Sequence, residues 1–141
     1  MAEGTIDLTI VTPERSVVHE QVDELQIPGA GGYFGVLPGH APLFSELKVG
    51  EVSYRRGSVW VYLSVAWGFV EVQPNQVRIL AETAERAQEI DLERATRAKK
   101  RAEERIAKGG DTLDYNRALI ALERALIRIQ VAARAHQRLN T

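Results

Sequence analysis

The chain has 141 residues, 45% of them hydrophobic and 26% charged, with a formal net charge of −1 and no cysteine. This excludes long disorder, disulfides, thiolate catalysis and cysteine-ligated metal centres, and the length accommodates one ordinary domain or two small ones. The longest apolar runs fall far short of the roughly 20 residues of a membrane span, and Met1-Ala2-Glu3-Gly4 has neither the basic nor the apolar region of a signal peptide. In chain order, Ile6, Leu8 and Ile10 alternate with Asp7 and Thr9, the period of a half-buried strand. Arg15 to Val22, Glu24 to Ile27, Val49 to Arg55, Val59 to Leu63, Trp67 to Val72 and Val77 to Ala81 continue the run of short strands, rich in β-branched and aromatic residues. Thr12-Pro13, Pro28-Gly29, Arg56-Gly57 and Pro74-Asn75 mark turns between them. Trp60 and Tyr62 share one strand face and are expected in the core.

Near residue 86 the chain changes character. All five prolines, nine of the eleven glycines and eight of the nine aromatic residues precede it. The 55 residues that follow are rich in Ala, Arg and Glu, with Gly109-Gly110 as their only glycines. Residues 1–86 hold six Lys/Arg and eleven Asp/Glu (−5), whereas residues 87–141 hold twelve and eight (+4). Here the period is helical: Ala95, Ala98, Ala102 and Ile106 form one stripe of mostly small residues, and Ala118, Ala121, Ala125 and Ala132 another. Asp91 and Asp111 are placed to cap two helices, Ile90 sits at a staple position, and Lys108-Gly109-Gly110-Asp111 breaks the helical run. The expected fold is α+β: an N-terminal antiparallel β-sandwich of about ten short strands (1–86), then a C-terminal antiparallel two-helix hairpin (87–141). An Ala seam buries little apolar area per residue, so the hairpin should dock weakly and reversibly.

Catalytic patterns are absent. His19, His40 and His136 share no metal-ligand spacing, and no HExxH, GxSxG or GxxxxGK[ST] occurs. Gly29-Ala30-Gly31-Gly32-Tyr33-Phe34-Gly35 approaches a dinucleotide fingerprint, but its last glycine is one residue late and no helix follows, so it reads as a flexible loop between strands. Gly35-Val36-Leu37-Pro38-Gly39-His40-Ala41-Pro42-Leu43 is a rigid apolar segment in which Gly39 can take a positive φ. On its own chemistry it is either a buried connector or an exposed docking tip.

That last string resembles the G-(I/V)-L-P-G-H-x-P signature of the epsilon subunit of bacterial and chloroplast rotary ATP synthases. Ile10-Val11-Thr12-Pro13, Gly68-Phe69-Val70-Glu71-Val72-Gln73-Pro74-Asn75-Gln76-Val77, Leu80-Ala81-Glu82-Thr83-Ala84-Glu85-Arg86 and Ile90-Asp91-Leu92-Glu93-Arg94-Ala95 match further family strings in order. The chain departs at Trp67, where a small residue is usual, and at Tyr33, where the family loop is often acidic. The resemblance implies a non-catalytic rotor subunit at the cytoplasmic face of the bacterial plasma membrane, peripheral through the c-ring; the thylakoid stromal face is the lesser reading. It implies a sandwich bound to the gamma subunit and the c-ring, with Gly31, Tyr33, Gly35, Leu37, Pro38, Gly39, His40 and Pro42 in the docking segment. It also implies an arm that extends toward the alpha and beta subunits of the catalytic head and inhibits hydrolysis. The isolated subunit would be monomeric and need no cofactor, with ATP as a regulatory ligand of some members.

For that ligand the family pattern points to Asp91, Arg94, Arg124 and Arg128, with Glu85 as a weaker candidate. Spacing bears on the same residues independently. If the hairpin turns at about 109–110, residue 94 lies level with about 125 and residue 91 with about 128. Paired arginines suit phosphates, and Asp91 suits an amino group or an arginine; an ordinary cap and ion-pair network is the alternative. Two other functions compete: a free-standing sandwich binding module, which would need an exposed aromatic cleft, and a nucleic-acid binder. The arm has too few aromatics for base stacking and its basic stripe is interrupted by acids, so no nucleic-acid partner is expected.

Overall fold

The computed structural model describes the backbone of residues 4–139 and the side chains of residues 4–135. His136 therefore lies outside the residues whose side chains are described. The chain divides into two units at the Arg86–Ala87 bond.

The first unit contains β1 (Ile6–Val11), β2 (Ser16–Val22), β3 (Glu24–Gly29), β4 (Gly32–Val36), β5 (Leu43–Leu47), β6 (Gly50–Arg56), β7 (Val59–Gln73) and β8 (Gln76–Arg86). They follow the path β2-β1-β8-β7-β5-β3-β4, with β6 bonded to β3 and β7. The alternation in β1 is realised: Ile6, Leu8 and Ile10 are fully buried. Leu25, Ile27, Val52, Tyr54, Leu63, Val70 and Ile79 join them in the core between the sandwich layers.

Four features differ from the expectation. Eight continuous strands are present among the described residues, not about ten, because β7 and β8 each serve both layers. The N-terminal half of β7 pairs with β6 (Arg56↔Val59 to Gly50↔Val65) and its C-terminal half with β5 (Leu47↔Gly68 to Leu43↔Val72). Counted by legs, the layers are β2–β1–β8–β7–β5 and β8–β7–β6–β3–β4. The corner falls at Trp67 and Gly68, whose φ angles are 48° and 139°. A Cβ on Gly68 would meet the Leu80 carbonyl oxygen at 1.8 Å, so the two backbones can approach only through glycine.

Second, β1 and β8 are parallel (Asp7↔Gln76 to Val11↔Leu80), in a sandwich otherwise antiparallel. A parallel neighbour needs a long connection, and here most of the sandwich intervenes. Third, Gly29 to Gly35 is not a flexible loop. It forms the β3–β4 hairpin, in which Gly29 pairs with Gly32 across Ala30-Gly31. Gly32 takes φ 119°, a value that suits the tight turn and that non-glycine residues rarely adopt. Fourth, Trp60 and Tyr62 are half-buried on the face opposite the core. Val61, Leu63 and Val65 alternate with them, and Leu63 and Val65 fill the interior.

The second unit opens with a 3-10 turn (Ala87–Glu89), which the sequence reading missed, and continues as α1 (Leu92–Lys108) and α2 (Thr112–Leu139). Both expected caps form: Asp91 Oδ1 accepts from the Arg94 N–H at 3.0 Å, and Asp111 Oδ1 from the Asp114 N–H at 2.8 Å. At the C-terminus of α1, Gly109 takes φ 81° and its N–H donates to the Ile106 carbonyl. The helices pack on each other through the small-residue stripes. Ala95, Ala102, Ala118, Ala125 and Ala132 are buried, while Ala98, Ile106 and Ala121 are half-buried. The 3-10 turn packs on α2, and Ala87 and Ile90 on either side of Gln88-Glu89 are buried.

Candidate functional site

Residues 31–42 occupy three settings. Gly31 is in the β3–β4 turn, Tyr33 and Gly35 are in β4, and Leu37, Pro38, Gly39, His40 and Pro42 form the loop before β5. The Tyr33 ring is largely exposed, yet its hydroxyl accepts from the Glu51 N–H at 2.9 Å. It lies over Gly50, where a Cβ would stand 2.6 Å from that hydroxyl and 2.7 Å from the Pro28 Cβ. Gly39 takes φ 89°, as its position requires, and its N–H donates to the Pro74 carbonyl at 2.7 Å. This bond ties the loop to the β7–β8 turn. The His40 N–H donates to the Leu37 carbonyl, and the ring Nδ1 lies 2.6 Å from the Ala41 carbonyl oxygen. The loop is not a buried connector: Leu37 at its tip is 58% exposed, and Gly39, Ala41 and Pro42 are also exposed.

A second surface went unread in the sequence. Phe44, Phe69 and Leu80 come from β5, β7 and β8 and are 68%, 47% and 53% exposed. The two phenyl rings stack with centroids 5.6 Å apart and planes inclined by 24°. Phe69 pairs in register with Glu46 on one side and Leu80 on the other, so the three apolar side chains form a patch across three strands. A signal was available. In β7 and β8 the interior positions are Val70, Val72, Ile79 and Ala81, so Phe69 and Leu80 fall on the wrong parity for the core.

In the hairpin, buried Ala102 and Ala118 each lie eight residues from Gly110, and buried Ala95 and Ala125 each lie fifteen. The fold axis is therefore Gly110. At 1.5 Å rise, Arg94 lies level with about residue 126 and Asp91 with about residue 129. Arg94 and Arg124 are exposed and Arg128 is half-buried. With 3.6 residues per turn, Arg94, Arg124 and Arg128 all fall on one flank of the Ala seam. Asp91 is exposed at the start of the same flank and holds the first turn of α1. Glu85 does not belong to this unit: it lies in β8, paired with Ser64.

The opposite flank of α2 carries Tyr115, Leu119, Leu122, Leu126 and Ile129, alternately four and three residues apart. Tyr115, Leu119 and Leu126 are 44%, 39% and 45% exposed. This is the spacing of a helix-packing seam. Among the described residues no group of three or more His, Asp or Glu is placed to hold a metal ion, and no helix is long and apolar enough to cross a membrane.

Residues 5–87 match the beta-sandwich domain of the ATP synthase Delta/Epsilon chain family, and residues 88–133 match its long alpha-helix domain. Relatives described as ATP synthase epsilon chain include one from Koribacter versatilis, 54% identical over 75% of each chain. Another, from Geotalea daltonii, is 48% identical over 98% of this chain and 100% of its own. The fold is similar to a chain in the cryo-EM structure of the Euglena gracilis mitochondrial ATP synthase, with TM-score 0.79, 26% identity and coverage of 92% of this chain and 81% of that one. A chain of the Tetrahymena thermophila mitochondrial ATP synthase central stalk and c-ring shares the fold, with TM-score 0.56, 15% identity and coverage of 92% and 95%. The chain belongs to the ATP synthase Delta/Epsilon family, as an epsilon subunit of the rotary complex.

Proposed function

We propose that this epsilon subunit is a non-catalytic rotor component whose sandwich couples gamma to the c-ring and whose helical arm brakes ATP hydrolysis. The observation that carries the docking half is the exposed Phe44–Phe69–Leu80 patch. A stacked aromatic pair left in water on a sandwich face marks a surface to be covered in an assembly. The gamma subunit is the proposed occupant. The segment Gly31 to Pro42, stiffened by the Tyr33–Glu51 and Gly39–Pro74 hydrogen bonds, is the proposed foot on the polar loops of the c-ring. Membrane association at the cytoplasmic face of the bacterial plasma membrane follows from that docking.

The braking half rests on the arm's two seams. The Ala seam joining α1 to α2 buries little apolar area, so the hairpin opens at modest cost. The Tyr115–Leu119–Leu126 row offers α2 a helix to pack on when it extends along gamma toward the alpha and beta subunits. ATP would bind the arginine flank, with Arg124 and Arg128 on the phosphates, Arg94 beside them and Asp91 orienting the group. It would then hold the hairpin closed by mass action.

A pull-down of the purified chain with gamma and with the c-ring tests the docking reading, and absence of a stable gamma complex overturns it. Calorimetric titration with ATP tests the ligand. Heat release that is lost in Arg124→Ala while the melting temperature is kept supports the site. No heat in the wild-type chain removes ATP from the mechanism and leaves the docking reading in place.

A further inference from the structure

Five cations of α1 fall on one line. With 3.6 residues per turn, Arg94, Arg97, Arg101, Arg105 and Lys108 lie within an arc of about 80°, and all five are exposed. The acids that interrupt this run in the sequence lie elsewhere on the helix, Glu93 and Glu104 on its back and Glu103 on the far flank. Arg97 is 4.0 Å from Glu93, whereas Arg101, Arg105 and Lys108 make no ion pair among the described residues. Like charges four residues apart oppose helix formation, so this accumulation costs stability that a face of mixed sign avoids.

The second helix adds to the same flank. About the Gly110 axis, Arg117, Arg124 and Arg128 lie level with about residues 103, 96 and 92, between and beside the α1 cations. Arg117 and Arg124 are exposed and Arg128 is half-buried. The eight cations extend over about 24 Å of the hairpin, one per about 3 Å. Among the described residues, carboxylates stand only at the two ends of the row, Asp91 at the start of α1 and Asp114 in the first turn of α2. The one aromatic residue of the hairpin, Tyr115, is on the opposite flank. A row of guanidinium groups with no ring to stack on suits a chain of phosphates rather than a chain of bases.

We propose that this flank binds linear inorganic polyphosphate, the chain lying along α1 from Arg94 toward Lys108 with the α2 arginines on its other side. The proposal rests on the ATP reading for the role of Arg94, Arg124 and Arg128, whereas Arg97, Arg101, Arg105, Lys108 and Arg117 lie outside that reading. Three phosphates engage only one end of the row. A longer chain meets the remaining cations, so its affinity rises with length and needs no base. Because each contact neutralises an exposed cation, binding weakens steeply with salt.

The test titrates the full chain in a calorimeter with tripolyphosphate, long-chain inorganic polyphosphate and ATP. The long chain should bind about tenfold tighter than tripolyphosphate, and its affinity should fall about 100-fold between roughly 50 and 200 mM salt as about five phosphates are neutralised. Arg101→Gln/Arg105→Gln, at exposed positions and with a good helix former, should keep the wild-type melting temperature, weaken the long chain about tenfold and leave ATP binding within about twofold. Arg105→Gln alone should weaken the long chain about threefold. Arg101→Lys/Arg105→Lys should retain most of the affinity, and Lys100→Gln, which removes a charge outside the arc, should change it by less than about twofold. Equal affinity for long and short chains, or long-chain affinity unaltered in Arg101→Gln/Arg105→Gln and in Arg105→Gln, overturns the proposal and leaves ATP on its three arginines. No heat with ATP, with long-chain binding present and weakened in those variants, overturns the ATP reading and keeps the phosphate row. Equal binding of a single-stranded oligonucleotide of the same charge overturns the choice of ligand. So does capture by vesicles of phosphatidylglycerol and phosphatidylcholine at a salt concentration where free polyphosphate gives no heat.

Discussion

Replacing Phe44 and Phe69 together with serine removes the aromatic patch without touching the core. Each phenylalanine offers roughly 200 Å². At 68% and 47% exposure, the pair leaves about 230 Å² available to a partner. At about 25 cal/mol per Å² this sets a ceiling near 6 kcal/mol. Ordering and imperfect fit reduce it, and truncation of buried aromatic anchors typically costs about 2–4 kcal/mol, a loss of affinity of roughly 30- to 700-fold. The free chain should lose only about 1 kcal/mol, the worth of the stacked pair. Calorimetry or surface binding against purified gamma measures the first quantity and urea unfolding the second. A dissociation constant within threefold of wild type would refute the assignment of this patch to gamma. A stability loss of several kcal/mol would refute the claim that the patch lies outside the core.

Three further outcomes are expected. Asp91→Ala should lower hairpin stability by about 1 kcal/mol through loss of the cap, while Asp91→Asn, which keeps an acceptor oxygen, should preserve the melting temperature yet weaken ATP binding; equal ATP affinity in Asp91→Asn and wild type would limit Asp91 to capping. Gly68→Ala should destabilise the sandwich by about 3–5 kcal/mol in urea titration, since its Cβ would lie 1.8 Å from a backbone oxygen at positive φ, and a loss under 1 kcal/mol would contradict the corner geometry. Burial of Tyr54, and then the 2.7 Å bond its hydroxyl donates to Glu20, raise the hydroxyl pKa above the ordinary 10.0, so the neutral hydroxyl's contribution to the native state is full below pH 10 and is lost as pH rises through the folded value; unfolding free energy should therefore fall more steeply above pH 10 in wild type than in Tyr54→Phe, and parallel curves would count against it.

Local pattern carried the reading where local physics decides the outcome. Ile6, Leu8 and Ile10 alternate because one sheet face is buried, and Asp91 and Asp111 mark helix starts because free amides need an acceptor. The Ala stripes emerged for the same reason. Long-range matters were hidden. The parallel β1–β8 pairing joins strands remote in sequence, and the corner at Trp67 bends a strand with no turn residues on its N-terminal side. The Gly- and Pro-rich run at residues 29–42 masked β4 and concealed that β5 follows directly. Aromatic identity also misled. Trp60 and Tyr62 do share one strand face, but parity with buried Leu63 and Val65 puts that face opposite the core. The same parity test would have found Phe69 and Leu80. For the arginine flank, spacing placed the levels to within one residue, whereas side-chain pairing depends on packing that spacing does not encode.

The central claim is that the two units do different work, and truncation separates them. An ATP synthase lacking its epsilon subunit is reconstituted with the full chain or with a chain ending at residue 87, and ATP hydrolysis and ATP-driven proton pumping are measured together. The account predicts that the truncated chain sustains pumping while hydrolysis rises above that of the full-length complex. Unchanged hydrolysis would contradict an inhibitory arm, and loss of pumping would contradict a sandwich that couples gamma to the c-ring by itself.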